Sequence, residues 1–418
     1  MEFNADTFSW PKGRWKRYDA LPSIVWYTTN IWWIQRNRRI TCTSGVSTFE
    51  CEVFKLQTAP ENPNAYLFYG SDVHYFPLPR NSSVLWGLLH DESPANRLEF
   101  VYEEGLRLFN FSSTFSRFSD VPMPLMKSKG LDALTSRKYF VNTPDKNAAL
   151  SDIAPVIYMQ SDCYSMSERD AYVAQLMGYI SIDSYGECLR NKDLPLSDIY
   201  VNVRRGPQMY LQYLYGTDLL NFISRYKFMI AIENAVCNDY VSEKLWRALE
   251  VGVVPIYYGS PLIRDWLPNN KSAILLEDFP TPELLSQHLH YLLNNDTAYE
   301  EYLEHKTLGR ISNQKLLDDL KARSYQIDLA ETAFKLECLI CEKLYNNDDA
   351  VNMVTKNHYD CPMEPFSDLA YVPSHIDLWR RLYDDAKNKV DSLVKEIDEQ
   401  IDERRVSNTS WWINDGKE

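Results

Sequence analysis

The stretch from Tyr226 to Asn270 constrains the fold more than any other part of the sequence, because two short apolar runs flank an amphipathic segment. The runs 227–232 and 253–258 are too short for buried helices and long enough for strands covered on both faces. Four apolar residues between them recur at the spacing of one helical face: Val241, Leu245, Ala248 and Leu249. Gly252 then ends the helix, so the pattern predicts a βαβ unit of a parallel sheet.

Polar residues concentrate where this unit opens. In βαβ units, ligands bind beyond the carboxyl ends of the strands, where helix N-termini offer free N–H groups to anions. Glu243 lies off the apolar face and Lys244 on its flank, so both can reach a ligand there without disturbing the core. Asn234, Asn238 and Asp239 supply turn and cap chemistry. Taken alone, the pattern also fits the solvated start of an ordinary helix.

The same stretch carries a family resemblance. Residues 233–261, ENAVCNDYVSEKLWRALEVGVVPIYYGSP, resemble nearly residue for residue the signature of the GDP-fucose-dependent α-1,3-fucosyltransferases, glycosyltransferase family ten. A weaker resemblance extends from about Ser23 to Cys341. It implies an α/β chain with the GT-B fold, in which two facing Rossmann-like domains enclose the active site. QSDC, IDSYGECLRNKDLP and ECLICEK look most like the divergent branch of protein O-fucosyltransferases that act on EMI domains.

Chain length and pattern together predict the domain organisation. At 418 residues, two domains are the default. We expect a lead-in at 1–22, an N-terminal acceptor-side domain with the connection at 23–150, a C-terminal GDP-fucose-binding domain at 151–341 and an extension at 342–418. Strands are predicted at 23–28, 65–70, 83–89, 108–112 and 156–160, and helices at 167–178, 282–293 and 299–306. The charged run from Asp384 to Arg405 predicts a solvated helix with a structural role.

The loop HDESPAN, residues 90–96, follows the strand predicted at 83–89. A carboxylate there stands at the carboxyl end of a strand and faces the cleft. The resemblance implies that Glu92 is the catalytic base, because it matches the Glu of the family's Glu-Ser-Pro loop. His90 and Asp91 remain competitors, since either can accept a proton. A solvated turn without chemistry is the other interpretation.

Arg169 lies in the first turn of the helix predicted at 167–178, where its charge opposes the helix dipole and favours an anion. The resemblance implies that it binds the donor diphosphate, although it can also simply pair with Glu168 or Asp170. Tyr240 and Glu243 are expected on the ribose or fucose side. The donor-binding residues that the resemblance implies are Arg169, Glu233, Asn234, Tyr240, Glu243 and Lys244.

The resemblance implies an inverting transfer of L-fucose from GDP-β-L-fucose to a Ser or Thr hydroxyl of a folded EMI-type domain. Glu92 takes the proton of the acceptor hydroxyl, while Arg169 and Lys244 offset charge on the leaving GDP. We therefore expect neither a metal nor another cofactor, and no DxD motif stands where a metal-bound donor needs one.

Three other functions are weighed against this one. The first is α-1,3-fucosylation of N-acetylglucosamine in glycans. The second is a non-catalytic glycoprotein-binding quality-control protein, which the intact Glu92 and Lys244 oppose. A nicotinamide oxidoreductase is disfavoured because none of the 14 glycines forms a GxG.

Net charge and hydropathy restrict the partners and the cellular compartment that are expected for this chain. The formal charge of −14 argues against nucleic acid or anionic membrane as the main partner, so we expect GDP-fucose and a protein or glycoprotein acceptor. No apolar run is long enough to span a bilayer. Membrane attachment is expected only through an N-terminal anchor absent from this chain, giving a single-pass type II protein of the endoplasmic reticulum or Golgi lumen. Five sequons favour a secretory lumen: Asn81, Asn110, Asn270, Asn295 and Asn408.

Eight cysteines permit full pairing without proving it. From the residues alone, the CxxC of Cys338 and Cys341 can also be half of a zinc site, although His358 is a poor complement and no second CxxC exists. The resemblance implies that Cys338 and Cys341 pair with Cys42 and Cys51, and that Cys163 pairs with Cys188. The partners of Cys237 and Cys361 stay open.

Overall fold

The computed structural model describes residues 20–29, 31–195, 216–346, 352–362 and 376–413, and the side chains of the last helix as far as residue 400. Most of the predicted lead-in, 1–22, lies outside these ranges. The described chain forms two α/β domains, each built on its own sheet.

The N-terminal sheet has six strands in the order β2-β3-β1-β4-β5-β6, and every neighbouring pair is parallel except the hairpin β2–β3. Its strands are β1 Ser23–Trp26, β2 Arg38–Ser44, β3 Ser47–Lys55, β4 Ala65–Tyr69, β5 Leu85–His90 and β6 Phe111–Thr114. The prediction located four of them within a few residues. It missed the hairpin, because β2 is an edge strand with mostly polar, exposed residues and lacks a long apolar run.

The C-terminal sheet has five strands in the order β11-β10-β9-β7-β8 and is parallel throughout. Its strands are β7 Val156–Gln160, β8 Ile182–Gly186, β9 Phe228–Ile232, β10 Val254–Tyr258 and β11 Ile274–Leu275. All five residues of β9 are buried, as expected of a central parallel strand.

Twelve α-helices occur in the described ranges: α1 Glu103–Leu106, α2 Leu131–Thr135, α3 Thr143–Ala149, α4 Arg169–Leu176, α5 Thr217–Ile223, α6 Glu243–Val251, α7 Pro282–Leu293, α8 Asp296–Glu300, α9 Glu304–Thr307, α10 Gln314–Ala322, α11 Leu329–Tyr345 and α12 Ile376–Ile413. The predicted βαβ unit is β9-α6-β10, and Gly252 ends α6 with a left-handed φ of 69°. The helix predicted at 299–306 is instead broken by a 3-10 turn between α8 and α9.

Helix α11 covers one face of the N-terminal sheet, although the predicted boundary at 341 placed it in the C-terminal domain. Its Glu337 is fully buried and accepts hydrogen bonds from Trp26 Nε1 at 2.8 Å and Arg38 Nη2 at 2.6 Å. The prediction was wrong for this helix because its return to the first sheet depends on contacts between residues far apart in the chain.

Helix α3 lies before the other predicted boundary, at 150, yet packs against the C-terminal domain. Lys146 is fully buried in α3, and its ammonium donates to the carbonyls of Tyr226 at 2.8 Å and Gly252 at 2.7 Å, both in the C-terminal domain. The second domain therefore begins to pack before residue 151.

Helix α12 is not fully solvated as predicted. Trp379, Tyr383, Ala386 and Val390 on one of its faces are buried against the N-terminal domain, next to α1 and the 3-10 turn Leu98–Val101. Its opposite face is charged and exposed. Within the part of the chain that the structure describes, no helix is long and apolar enough to cross a membrane.

Side chains from both domains share one core at the cleft. This aromatic-rich cluster joins Phe100 and Phe115 of the first domain to Met166, Cys237 and Tyr240 of the second. The arrangement is the predicted GT-B class, with the carboxyl ends of β5 and β9 at the junction of the two domains.

Candidate active site

The start of α6 is built on a buried carboxylate. Glu233 follows β9 with no exposed surface and accepts from the Ser242 backbone N–H at 2.7 Å and the Ser242 hydroxyl at 2.6 Å. Gly259 permits this, because a Cβ at that position would lie 2.6 Å from Glu233 Cγ. Ser242, and not one of the predicted Asn234, Asn238 or Asp239, is the N-cap of α6. Glu233 is enclosed by these contacts, and its direct contact with the donor stays a prediction.

Lys244 and Glu243 form the first turn of α6. The Lys244 ammonium lies 2.8 Å from Ser242 Oγ and 3.4 Å from carboxylate oxygens of Glu233 and Glu243. Burial disfavours the charged ammonium, but the carboxylates of Glu243 and Glu233 outweigh it and raise the pKa of Lys244. Burial likewise opposes the Glu243 carboxylate, yet Lys244, Arg247 and Lys127 lower its pKa to about 2. Lys244 is more enclosed than predicted, with 12% of its side chain exposed.

Arg169 begins α4 and is 1% exposed. Its guanidinium donates to the backbone carbonyl of Asp162 at 2.7 Å and more weakly to that of Ile232 at 3.4 Å, so neither predicted carboxylate partner is its hydrogen-bond acceptor. Its Nε and the Oδ1 of Asn234 are buried without a hydrogen-bond partner in the described residues. Both Arg169 and Lys244 thus direct positive charge at the same end of the sheet.

Tyr240 lies at the junction of the domains and is 4% exposed. Its ring packs at 5.1 Å from Phe115, and burial together with the charges of Glu92, Glu233 and Glu243 raises its pKa. The structure brings this predicted donor residue to the site but encloses its ring between the two domains.

The loop after β5 separates the three predicted candidates for the base. His90 is fully buried beside Phe100 and Tyr359, and burial lowers its pKa to about 4, which is typical of a neutral core histidine. Asp91 is 7% exposed and accepts from the Tyr69 hydroxyl at 3.0 Å. Glu92 is the most exposed of the three. Burial and the neighbouring Asp91 raise its pKa to about 7, a proton affinity suited to a general base at neutral pH.

Lys127 is a site residue that the sequence analysis missed. Its ammonium is 3.7 Å from Asp91 Oδ2. Burial disfavours its charge, but Asp91, Glu92 and Glu243 together raise its pKa. It lies in a stretch interpreted only as an interdomain connection, and no motif marks it. The structure thus brings Glu92 and Lys127 of the first domain within electrostatic reach of Glu243 and Lys244 of the second.

Comparison with known proteins decides the family. The model of glycosyltransferase family 10 (fucosyltransferase), C-terminal part, matches residues 151–358. Alpha-(1,3)-fucosyltransferase B of Drosophila melanogaster is 41% identical over 376 residues, which cover 87% of this chain and 82% of that protein. The chain belongs to glycosyltransferase family 10.

This fucosyltransferase is also similar to GDP-fucose protein O-fucosyltransferase 3 of Homo sapiens, with 38% identity over 370 residues that cover 83% of this chain and 74% of that protein. A crystal structure of an α1,3-fucosyltransferase with GDP is 17% identical, with a TM-score of 0.44, covering 72% of this chain and 82% of that chain.

Three disulfides of this fucosyltransferase pair as the resemblance implied, and the fourth, between the two cysteines whose partners stayed open, joins the two domains. The disulfides are Cys42–Cys338, Cys51–Cys341, Cys163–Cys188 and Cys237–Cys361. A zinc site at Cys338 and Cys341 is excluded, because neither has a free thiolate. In the described ranges, the one cluster of potential metal ligands is Cys163, Asp170 and Cys188, two of which share a disulfide. That no metal is needed stays a prediction.

The sequons differ in their surroundings. Asn81 and Asn270 are exposed. Asn110 accepts from the Trp86 N–H at 2.8 Å and donates from Nδ2, the atom that a glycan would occupy, to the Asn352 carbonyl at 3.1 Å, so a glycan there would compete with the second bond. Asn295 caps α8, and the side chain of Asn408 lies outside the described residues. Occupancy of the sequons stays a prediction.

Proposed function

We propose that this fucosyltransferase transfers L-fucose from GDP-β-L-fucose to a Ser or Thr hydroxyl of a folded EMI-type domain, with inversion at C1. The observation that carries the proposal is the carboxylate of Glu92, whose pKa is about 7 and which lies across the cleft from Glu243 and Lys244. Relatives named GDP-fucose protein O-fucosyltransferase 3 support a protein acceptor.

The donor binds at the C-terminal sheet in this proposal. Arg169 and Lys244 hold the diphosphate, and charge-assisted bonds to phosphate are stronger than neutral ones. The buried Nε of Arg169 and Oδ1 of Asn234 gain partners from the donor. Glu243 faces the sugar or the ribose, and Glu233 fixes Ser242 and Lys244. Tyr240 closes the junction beside them.

The transfer itself needs one base and two cations. Glu92 takes the proton of the acceptor hydroxyl as its oxygen bonds to C1 of fucose, and the bond from C1 to the β-phosphate oxygen breaks. The electron pair of that bond leaves with GDP, where Arg169 and Lys244 offset the developing charge. The proton on Glu92 is then released to solvent, and no step requires a metal.

A second candidate is α-1,3-fucosylation of N-acetylglucosamine, which the similarity to alpha-(1,3)-fucosyltransferase B favours. GDP release by the purified chain distinguishes the two. We expect release with a folded EMI domain and little with the same domain after its disulfides are reduced or with N-acetyllactosamine. Release with N-acetyllactosamine but not with the folded EMI domain would favour the glycan acceptor. Binding of GDP-fucose without release with any acceptor would favour the non-catalytic quality-control function.

The compartment is part of the proposal. Four disulfides, three of them with long sequence separations, are typical of an oxidising lumen. We propose the lumen of the endoplasmic reticulum or Golgi as the compartment, with single-pass type II topology as its finer form.

A further inference from the structure

Residues 352–362, called the strap, follow α11 and contact both domains. Several hydrogen bonds fix it to the N-terminal domain, among them Val354 N–H to Phe109 O at 3.0 Å, Ser116 Oγ to Asn357 O at 2.6 Å and Thr114 Oγ1 to His358 O. Helix α11 is already tied to the same domain by two disulfides. The first part of the strap therefore belongs to the domain that carries Glu92.

The other end of the strap is bound to the donor domain. Cys361 forms a disulfide with Cys237. Asn238 donates its backbone N–H to the Asp360 carbonyl at 2.9 Å and its side-chain amide to the Asp360 carboxylate at 2.5 Å. Cys237 and Asn238 lie in the loop that leads into α6, so the strap is joined covalently to the segment before Lys244.

Tyr359 lies between these two attachments and contacts the loop of the base. Its side chain is 1% exposed, and its ring packs at 4.9 Å from Phe115 and 5.3 Å from His90. Its hydroxyl donates a hydrogen bond of 2.9 Å to the backbone carbonyl of Glu92. Loops are the mobile parts of a fold, and a buried hydrogen bond to the carbonyl of Glu92 restricts rotation of the peptide that carries the carboxylate.

We propose that Tyr359 is a positioning residue for the base, and that the Cys237–Cys361 disulfide sets its position relative to the donor loop. The proposal rests on the assignment of Glu92 as base. Tyr359 does not touch the substrate. Its hydroxyl holds the backbone of Glu92 in place. The disulfide fixes the strap to the donor loop, and so sets where that place lies relative to the donor domain. Transfer rates depend on such placement, because small displacements of a catalytic group are costly.

The first test is Tyr359→Phe, which keeps the ring and removes the hydroxyl. Its matched control is Tyr345→Phe, since the Tyr345 hydroxyl also donates to a backbone carbonyl at 2.9 Å, that of Glu50, away from the cleft. We expect kcat of Tyr359→Phe to fall about three- to tenfold, the effect of one net hydrogen bond, while GDP affinity and the acidic limb of the pH profile stay unchanged. An unchanged kcat, or an equal loss in the control, would overturn the proposal.

The second test measures the coupling to the disulfide. Cys237→Ser and Cys361→Ser are combined, and Tyr359→Phe is measured in that background as a double-mutant cycle. We expect the hydroxyl to matter less once the strap is released, so that the losses in kcat are not additive. Additive losses would overturn the role of the disulfide. If the serine pair does not fold, Asn238→Ala takes its place in the cycle: it removes the side-chain hydrogen bond to Asp360, keeps the backbone one, and tests the attachment of the strap to the donor loop, with additive losses again overturning the coupling.

Glu92→Gln in the same assay separates failure of this proposal from failure of the assignment beneath it. If Glu92→Gln is inactive and Tyr359→Phe is fully active, only the positioning role is wrong. If Glu92→Gln is active, the base is misassigned and the role of Tyr359 fails with it.

Discussion

Glu92 lies between charges of opposite sign on its own domain. Asp91 precedes it, and the Lys127 ammonium lies 3.7 Å from Asp91 Oδ2. Burial and Asp91 raise the pKa of Glu92 to about 7, while Lys127 opposes them. A base must be deprotonated to act, so kcat/KM is expected to fall as the pH drops below about 7.

The fall of kcat/KM below about pH 7 is the acidic limb of the pH profile. Substitutions of Lys127 and Asp91 should move this limb in opposite directions. Lys127→Met removes a charge that favours the carboxylate, so the pKa of Glu92 rises and the limb moves to higher pH, by about one pH unit. Asp91→Asn removes a charge that disfavours it, so the limb moves to lower pH. The pH dependence of kcat/KM measures both, and a shift of both variants in the same direction contradicts the assignment.

Lys244 is expected to bind the donor rather than to act on the acceptor. Lys244→Ala should weaken GDP-fucose binding about ten- to a hundredfold, because a charge-assisted hydrogen bond contributes about 1.5–3 kcal/mol. Lys129→Ala is the control, since Lys129 pairs at 2.7 Å with Glu250 near the far end of α6. Isothermal calorimetry measures the affinity of both variants for GDP-fucose. An unchanged affinity of Lys244→Ala would refute the role of Lys244 in donor binding.

Among the elements, α11 is joined to the first sheet through two disulfides and the buried Glu337. Burial raises the pKa of Glu337, while Arg38 and Trp26 favour its charged form. Glu337→Ala leaves Arg38 and the Trp26 indole without this acceptor, and we expect a loss of about 3–5 kcal/mol in unfolding free energy. Glu331→Ala, at an exposed position in the first turn of α11, should cost about 1 kcal/mol or less. Urea denaturation measures the unfolding free energy of both variants. Equal losses in the two would contradict the stabilising role of the buried Glu337.

The elements also show what sequence could predict. The unit β9-α6-β10 was located closely, because its apolar periods and Gly252 are local signals. The hairpin β2–β3 was missed because an exposed edge strand carries no such period. The return of α11 to the first sheet was missed because packing between residues about 300 apart leaves no local trace, although the disulfide partners of Cys338 and Cys341 were expected from the family.

The same contrast holds at the site. Glu92, Arg169 and Lys244 were predicted from the family resemblance, Lys244 within the long motif 233–261 and the other two within short ones. The structure brings the three to one end of the cleft, and their roles stay predictions. Lys127 and Tyr359 were not found, because a single Lys or Tyr in a loop is uninformative until its neighbours in space are known.

For the molecule as a whole, Arg117 forms a buried ionic link between the domains. It makes a charged contact with the buried Asp239 carboxylate through Nε at 2.8 Å and with Asp265 through Nη1 at 2.6 Å. Arg117→Met leaves the Asp239 charge buried with Trp266 as its remaining side-chain donor in the described residues, so we expect a loss of about 3–5 kcal/mol. Arg264→Met breaks an exposed pair with Glu277 and should cost at most about 1 kcal/mol.

Thermal unfolding of the two variants with and without GDP tests this link. Because Asp239 lies in the loop before α6, we expect Arg117→Met to weaken GDP binding as well as lower the Tm. A Tm no lower than that of Arg264→Met would contradict the proposed link.

The most direct test of the account is the transfer rate of Glu92→Gln. Glutamine keeps the shape of the side chain but cannot take a proton, and general-base catalysis typically contributes about 10²–10⁴-fold. We predict that Glu92→Gln binds GDP-fucose like the wild type and loses transfer by that factor, while Asp91→Asn and His90→Gln keep measurable turnover. Near-normal transfer by Glu92→Gln would contradict the assignment of the base, and with it the proposed mechanism.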